Sequence, residues 1–114
     1  MTRSTLRRSS KTAALTEDEL ATFRAMLEEQ RDFRLDQLAA LRRPQTRHRL
    51  GSGSREISVV LTVGAETALH EVLAALRRMA AGTYGRCTEC GAAIGVERLE
   101  ILPQTPTCMR CQSP

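Results

Sequence analysis

From Leu20 to Leu41 the positions Leu20, Phe23, Leu27, Gln30, Arg34, Leu38 and Leu41 fall at alternating three- and four-residue steps. That spacing is the seam of a coiled coil with two polar interruptions, a stripe narrow enough to need one partner helix rather than a surrounding core. Just upstream, Thr16-Glu17-Asp18-Glu19 has the form of a capping box, with Leu15 and Leu20 placed as a hydrophobic staple. The three acids suit the positive end of a helix dipole, and Arg42 and Arg43 suit the negative end before Pro44 stops the helix. The pattern predicts a helix over 16–43, about 42 Å long at 1.5 Å per residue.

A second seam, Leu61, Ala65, Ala68, Val72, Leu76 and Met79, steps in the same way and closes at Gly82, the residue type helix C-termini favour. Local propensity argues the other way. Ile57 to Val63 is a β-branched run that reads as a strand, and Gly64 costs a helix interior about 1 kcal/mol. The segment Pro44 to Ser54 (PQTRHRLGSGS) is a turn. A short turn between two seams of similar length favours an antiparallel helical hairpin, so helix is expected for the second segment. The fold class that follows is mainly α: a basic tail at 1–15 with too little apolar content to order, a helical hairpin at 16–82 with its tip at 44–55, and a small cysteine-rich module at 83–114.

Composition narrows the function. The chain has 114 residues, 41% of them hydrophobic and only three aromatic, too little to bury a large core, which excludes most enzyme architectures. No continuous apolar run approaches the roughly 20 residues a bilayer span needs. The Arg- and Ser-rich N-terminus is not followed by a hydrophobic region, so neither membrane insertion nor secretion is expected and the chain reads as cytoplasmic. The net charge of +4 is concentrated: residues 1–15 carry +4, residues 44–55 carry +3, and the stem between them is net negative. Such clusters suit polyanions or acidic protein surfaces. A solvated tail in a chain with a general preference for Arg is the stronger explanation, since sixteen of the seventeen cations are Arg.

The strongest chemical signal is the pair Cys87-Thr-Glu-Cys90 and Cys108-Met-Arg-Cys111, two Cys-x2-Cys turns separated by 17 residues, the spacing of a four-thiolate zinc site. Two cysteines on one short turn can aim at one ion, and a second turn completes the tetrahedron. Gly91, lacking a Cβ, lets the backbone curl so that amides face the sulfurs. Four thiolates and one Zn2+ leave a net charge of about −2, which Arg86, Arg98 and Arg110 lie near enough in sequence to offset. A disulfide or thiol-exchange site is the competing reading, and neither pair stands beside the βαβ pattern that reading would want. With four protein sulfurs there is no open position for water, so the zinc is expected to be structural and the protein not an enzyme. His48 and His70 read as surface residues. The module's apolar content is Tyr84, Ile94, Val96, Leu99, Ile101 and Leu102, so metal must supply part of its stability.

The residues Gly82, Tyr84-Gly85, Cys87-x2-Cys90-Gly91, Ile94, Arg98-Leu99-Glu100, Pro103 and Cys108-x2-Cys111 resemble the DksA/TraR family of bacterial zinc-finger proteins. At the level of motif the resemblance covers 82–111; over 16–82 it consists of the long hairpin alone. It implies a monomeric transcription regulator that binds RNA polymerase, inserts its coiled coil into the secondary channel, meets nucleic acid only within that complex and does not read promoter sequence. Cys87, Cys90, Cys108 and Cys111 occupy the family's metal positions. The tip departs from the pattern: members of the DksA type carry acids there, whereas Pro44 to Arg49 has none and offers Arg47 and Arg49 as candidate partner contacts. Glu71, Leu102 and Gln112 stand where alarmone-responsive members keep basic residues, so no response to guanosine tetraphosphate is expected. With three residues after Cys111, the C-terminal helix of longer members is not expected either. The alternative function is a zinc-stabilised nucleic-acid-binding module using the basic tail and tip, weakened by the near absence of aromatic rings for base stacking.

Overall fold

The computed structural model describes residues 14–44, 48, 51 and 53–112. The basic tail before Ala14 and the tip residues Arg47 and Arg49 lie outside the described residues. Two long helices, α1 (Glu17–Leu41) and α2 (Ser54–Ala81), pack along one another, and a short helix α3 (Val96–Ile101) lies in the module that follows. The molecule is elongated, 62 × 29 × 23 Å. Among the described residues there is no β-strand; one isolated antiparallel bridge joins Arg86 to Ala93.

Helix α1 starts where the capping box places it. Glu19 N–H donates to the Thr16 hydroxyl at 3.0 Å, and the Thr16 N–H donates to the Glu19 carboxylate at 2.9 Å. Its seam is also the expected one: Phe23, Leu27, Leu38 and Leu41 are buried, with Gln30 and Arg34 half-buried between them. The β-branched run 57–63 is helical, as pairing required and propensity did not. Gly82, with φ of 82°, ends α2 in the left-handed conformation that glycine adopts without strain.

Two expectations for α2 need correction. Leu61 is not a seam residue; it is 40% exposed, and the half-buried residues in that turn are Ser58 and Thr62. Rotation is set further down, by Val72, Ala75 and Met79 against Phe23 and Leu27, and at 100° per residue this phase turns Val59, Val60 and Val63 outward. Secondly, Arg55–Ala81 is by length and composition apolar enough to cross a bilayer, although no unbroken apolar run suggested it. Alanines and outward valines, added to the seam residues, raise the average.

The core does not stop at the end of the hairpin. Phe23, Leu27, Val72, Ala75 and Met79 form one cluster with Tyr84, Cys87, Ile94 and Leu99 of the cysteine-rich module, so hairpin and module share a single interior. Ile101 and Leu102, expected inside, are exposed. Leu15 lies against Gly85, whose φ of 88° and 3.0 Å clearance to the Leu15 side chain make any residue with a Cβ strained there. The Tyr84 ring stacks at a tilt on Phe23, centroids 6.0 Å apart, and its hydroxyl donates to the Pro103 carbonyl at 2.8 Å. Burial pushes the Tyr84 phenol up to about 12, with Arg78 opposing, so it remains a donor throughout the neutral range. Replacing Tyr84 with Phe leaves that buried carbonyl unpaired and should lower unfolding free energy by about 1–2 kcal/mol in denaturant titration. An unchanged midpoint would assign the hydroxyl no role.

Candidate metal centre

The first Cys-x2-Cys turn is built by a miniature hairpin. Ile94 N–H donates to Gly85 O at 2.7 Å and Cys87 N–H to Ala92 O at 2.8 Å, which sets two short extended arms side by side. Gly91 closes the turn with φ of 79°, its N–H donating to Cys87 O at 2.9 Å, so Gly91 serves the curl expected of it. In the second turn Cys111 N–H donates to Cys108 O at 3.1 Å. The two turns are tied together by Thr88 N–H, which donates to Pro106 O at 2.9 Å.

The result brings the Sγ atoms of Cys87, Cys90, Cys108 and Cys111 within 4.8 Å of one another. Cys90 and Cys108 are 3.8 Å apart. Tetrahedral Zn–S bonds of about 2.3 Å place neighbouring sulfurs about 3.8 Å apart, so the donor set has the size and chemistry of a zinc site. Cys87 is buried, Cys108 and Cys111 half-buried and Cys90 exposed.

Polar groups face the sulfurs as a thiolate site requires. Glu89 N–H donates to Cys87 Sγ at 3.4 Å. Burial pushes the Cys87 thiol up, but amides of Cys108, Cys90 and Glu89 outweigh it and hold the thiol down to about 6. Cys90 is lowered chiefly by the Ala92 amide, whereas Cys111 is pushed up to about 12 by hydrogen bonding with Cys90 and Cys87. Four thiolates this close repel, and a dication relieves that repulsion.

The three nearby arginines have three different tasks. Arg110 is near the thiols, and Cys90 first, then Cys108 and Cys111, make its guanidinium hold its proton more tightly. Arg86 instead donates to Gly91 O at 3.2 Å, bracing the first turn. Arg98 braces the second, through Thr107 O at 2.9 Å and the Thr105 hydroxyl at 3.2 Å. A fourth cation, Arg78 of α2, reaches the carbonyls of Gln104 and Thr105 at 3.3 and 3.4 Å. Neither Arg78 nor the role of Tyr84 was legible from spacing, because main-chain carbonyls as partners leave no mark on the sequence. His48 and His70 are exposed and are not in the cysteine cluster.

Residues 82–114 match the model of the prokaryotic dksA/traR C4-type zinc finger. Over its whole fold the chain is similar to the structure of transcription factor DksA2 from Pseudomonas aeruginosa, at 28% sequence identity and a TM-score of 0.65, covering 95% of this chain and 90% of that one. No curated protein matches the chain. Residues 82–114 thus match a C4-type zinc finger of the dksA/traR type, carried on a chain whose whole fold is similar to that of a DksA-type transcription factor.

Proposed function

We propose that the chain is a non-enzymatic transcription regulator that binds RNA polymerase directly, through the secondary channel, as a cytoplasmic monomer that does not read promoter sequence. The observation that carries the proposal is the likeness to a transcription factor over 95% of the chain. Cys87, Cys90, Cys108 and Cys111 hold one structural zinc, which keeps no coordination position open for a substrate. In this reading tail 1–15, hairpin 16–82 and finger 83–114 are distinct working parts, and the tip at 44–55 is the leading end.

The distal hairpin favours a protein partner over nucleic acid alone. Val59, Val60 and Val63 are 55, 68 and 54% exposed, an apolar face next to the tip where a phosphate-binding stem would present cations. Co-purification with RNA polymerase, followed by crosslinking from a photoreactive residue at position 47, tests the proposal. Crosslinks to polymerase subunits support it; retention by nucleic acid with none by polymerase overturns it.

The tip makes a separate prediction. Replacing Arg47 and Arg49 with Ala should weaken polymerase binding by about tenfold at low salt, ~1.4 kcal/mol, with the difference shrinking as salt rises. Zinc content and helicity should not change, and guanosine tetraphosphate should not alter the output. Equal affinity in the double variant removes the tip from the interface.

A further inference from the structure

We propose that Arg98 is the positioning residue of the metal site: its guanidinium, projecting from α3, fixes the backbone that carries Cys108 and Cys111 at the distance the first pair of sulfurs requires. The inference rests on the zinc reading of the four cysteines.

The second Cys-x2-Cys turn has little of its own to hold it. Only Cys111 N–H to Cys108 O closes it, Met109 and Arg110 are exposed, and both cysteines are only half-buried. Arg98 supplies what is missing from a single side chain. Its Nε donates to Thr107 O at 2.9 Å, Nη1 to Met109 Sδ at 3.0 Å, and Nη2 to the Thr105 hydroxyl at 3.2 Å and to the Gln112 side-chain oxygen. These partners bracket both cysteines: Thr105 and Thr107 precede Cys108, Met109 lies between the pair, and Gln112 follows Cys111. Thr105, a buried polar side chain, passes the link on by donating to Thr107 O at 3.3 Å.

The choice of residue follows from this geometry. A planar fork with five N–H donors can meet four acceptors on one side of a loop, whereas an ammonium group is a single point with three. Arg98 starts from a fixed place because Leu99, fully buried beside it, locks α3 into the shared core. Arg78 holds the same loop from the hairpin side, at Gln104 and Thr105, but touches nothing at or beyond Thr107. The two arginines therefore divide the work: Arg78 ties the loop to α2, and Arg98 sets the sulfurs.

The test compares the full-length parent with R98A, R98K and R78A, measuring zinc stoichiometry, zinc affinity by chelator competition, and the ligand-field absorption of the cobalt-substituted proteins. Positioning predicts that R98A binds zinc about tenfold or more weakly, in the range of outer-shell substitutions, with a cobalt spectrum departing from the parent's tetrahedral pattern. R98K keeps the charge without the fork and should recover less than half of that loss on a logarithmic scale. R78A should keep the parent's spectrum and affinity while losing thermal stability. Full recovery in R98K would make Arg98 a counter-charge and overturn the inference, as would parent-like affinity and spectrum in R98A. Should R98A fail to fold, R98K decides by the same two readouts. A parent that holds no stoichiometric zinc defeats the zinc reading itself, whereas a zinc-loaded parent with indifferent Arg98 variants defeats this inference alone.

Discussion

Stripping zinc from the protein, or replacing any one of its four cysteines with Ser, will unfold the finger and also loosen the hairpin base. The first part follows from the metal's share of the folding energy, since structural zinc binds thiolate modules with about 10 kcal/mol or more at neutral pH. The second follows from the common interior. Cys87, Ile94 and Leu99 belong to the same cluster as Phe23, Leu27, Val72 and Met79, so losing the finger uncovers one end of the hairpin core. Hydrogen exchange should show lost protection first in 84–111 and then around 20–27 and 72–81, with the distal hairpin least affected by metal. Full protection of Phe23 and Met79 in zinc-free protein would mean that the two parts fold independently. Affinity should fall with pH, because protons compete with zinc for the thiolates.

Leu27→Asp should be the most damaging single change outside the finger. Leu27 is fully buried in the shared cluster, and a carboxylate there would be placed in a predominantly apolar interior away from water. Burying an unpaired charge costs several kcal/mol, at the high end of what single substitutions do and roughly the margin of a chain this small. Leu61→Asp is the matching control. With Leu61 at 40% exposure its side chain can reach water, and the change should stay within about 1 kcal/mol. Similar losses for both by chemical denaturation would restore Leu61 to the seam and refute the observed phase of α2.

That contrast also marks how far the sequence could be read. Along α1 charged and polar residues interrupt the apolar ones often enough to favour one phase, and Phe23, Leu27, Leu38 and Leu41 are buried where the spacing put them, although Phe33 and Leu35 stay exposed. Along the first two turns of α2, Ile57, Val59, Val60, Leu61 and Val63 are almost consecutive, and periodicity cannot choose among phases when nearly every position is apolar. The choice is made a turn or more away, by the packing of Val72, Ala75 and Met79. In the finger, the four cysteines announce themselves by type and spacing. The loop before Cys108 does not, because Arg78, Tyr84 and Arg98 hold it through carbonyl oxygens that every residue possesses. The finger's core looked too small for a different reason: five of the nine buried residues in the cluster that holds Tyr84 and Leu99 come from the hairpin.

The outward valines have a further consequence for the energy landscape. A helix free to choose its own rotation would turn Val59, Val60 and Val63 inward and leave Ser58 and Thr62 to water. The base denies it that choice, and each exposed valine forgoes part of the about 1.5–3 kcal/mol that full burial of such a side chain is worth. The distal hairpin is thus locally frustrated, its best local arrangement overruled by the rigid end of the same helix. Natural chains tolerate that conflict chiefly at sites that act on something else. In the proposed complex, a partner surface that closed over this face of α2 would draw on that unspent burial, which would then add to association and not to the stability of the free protein.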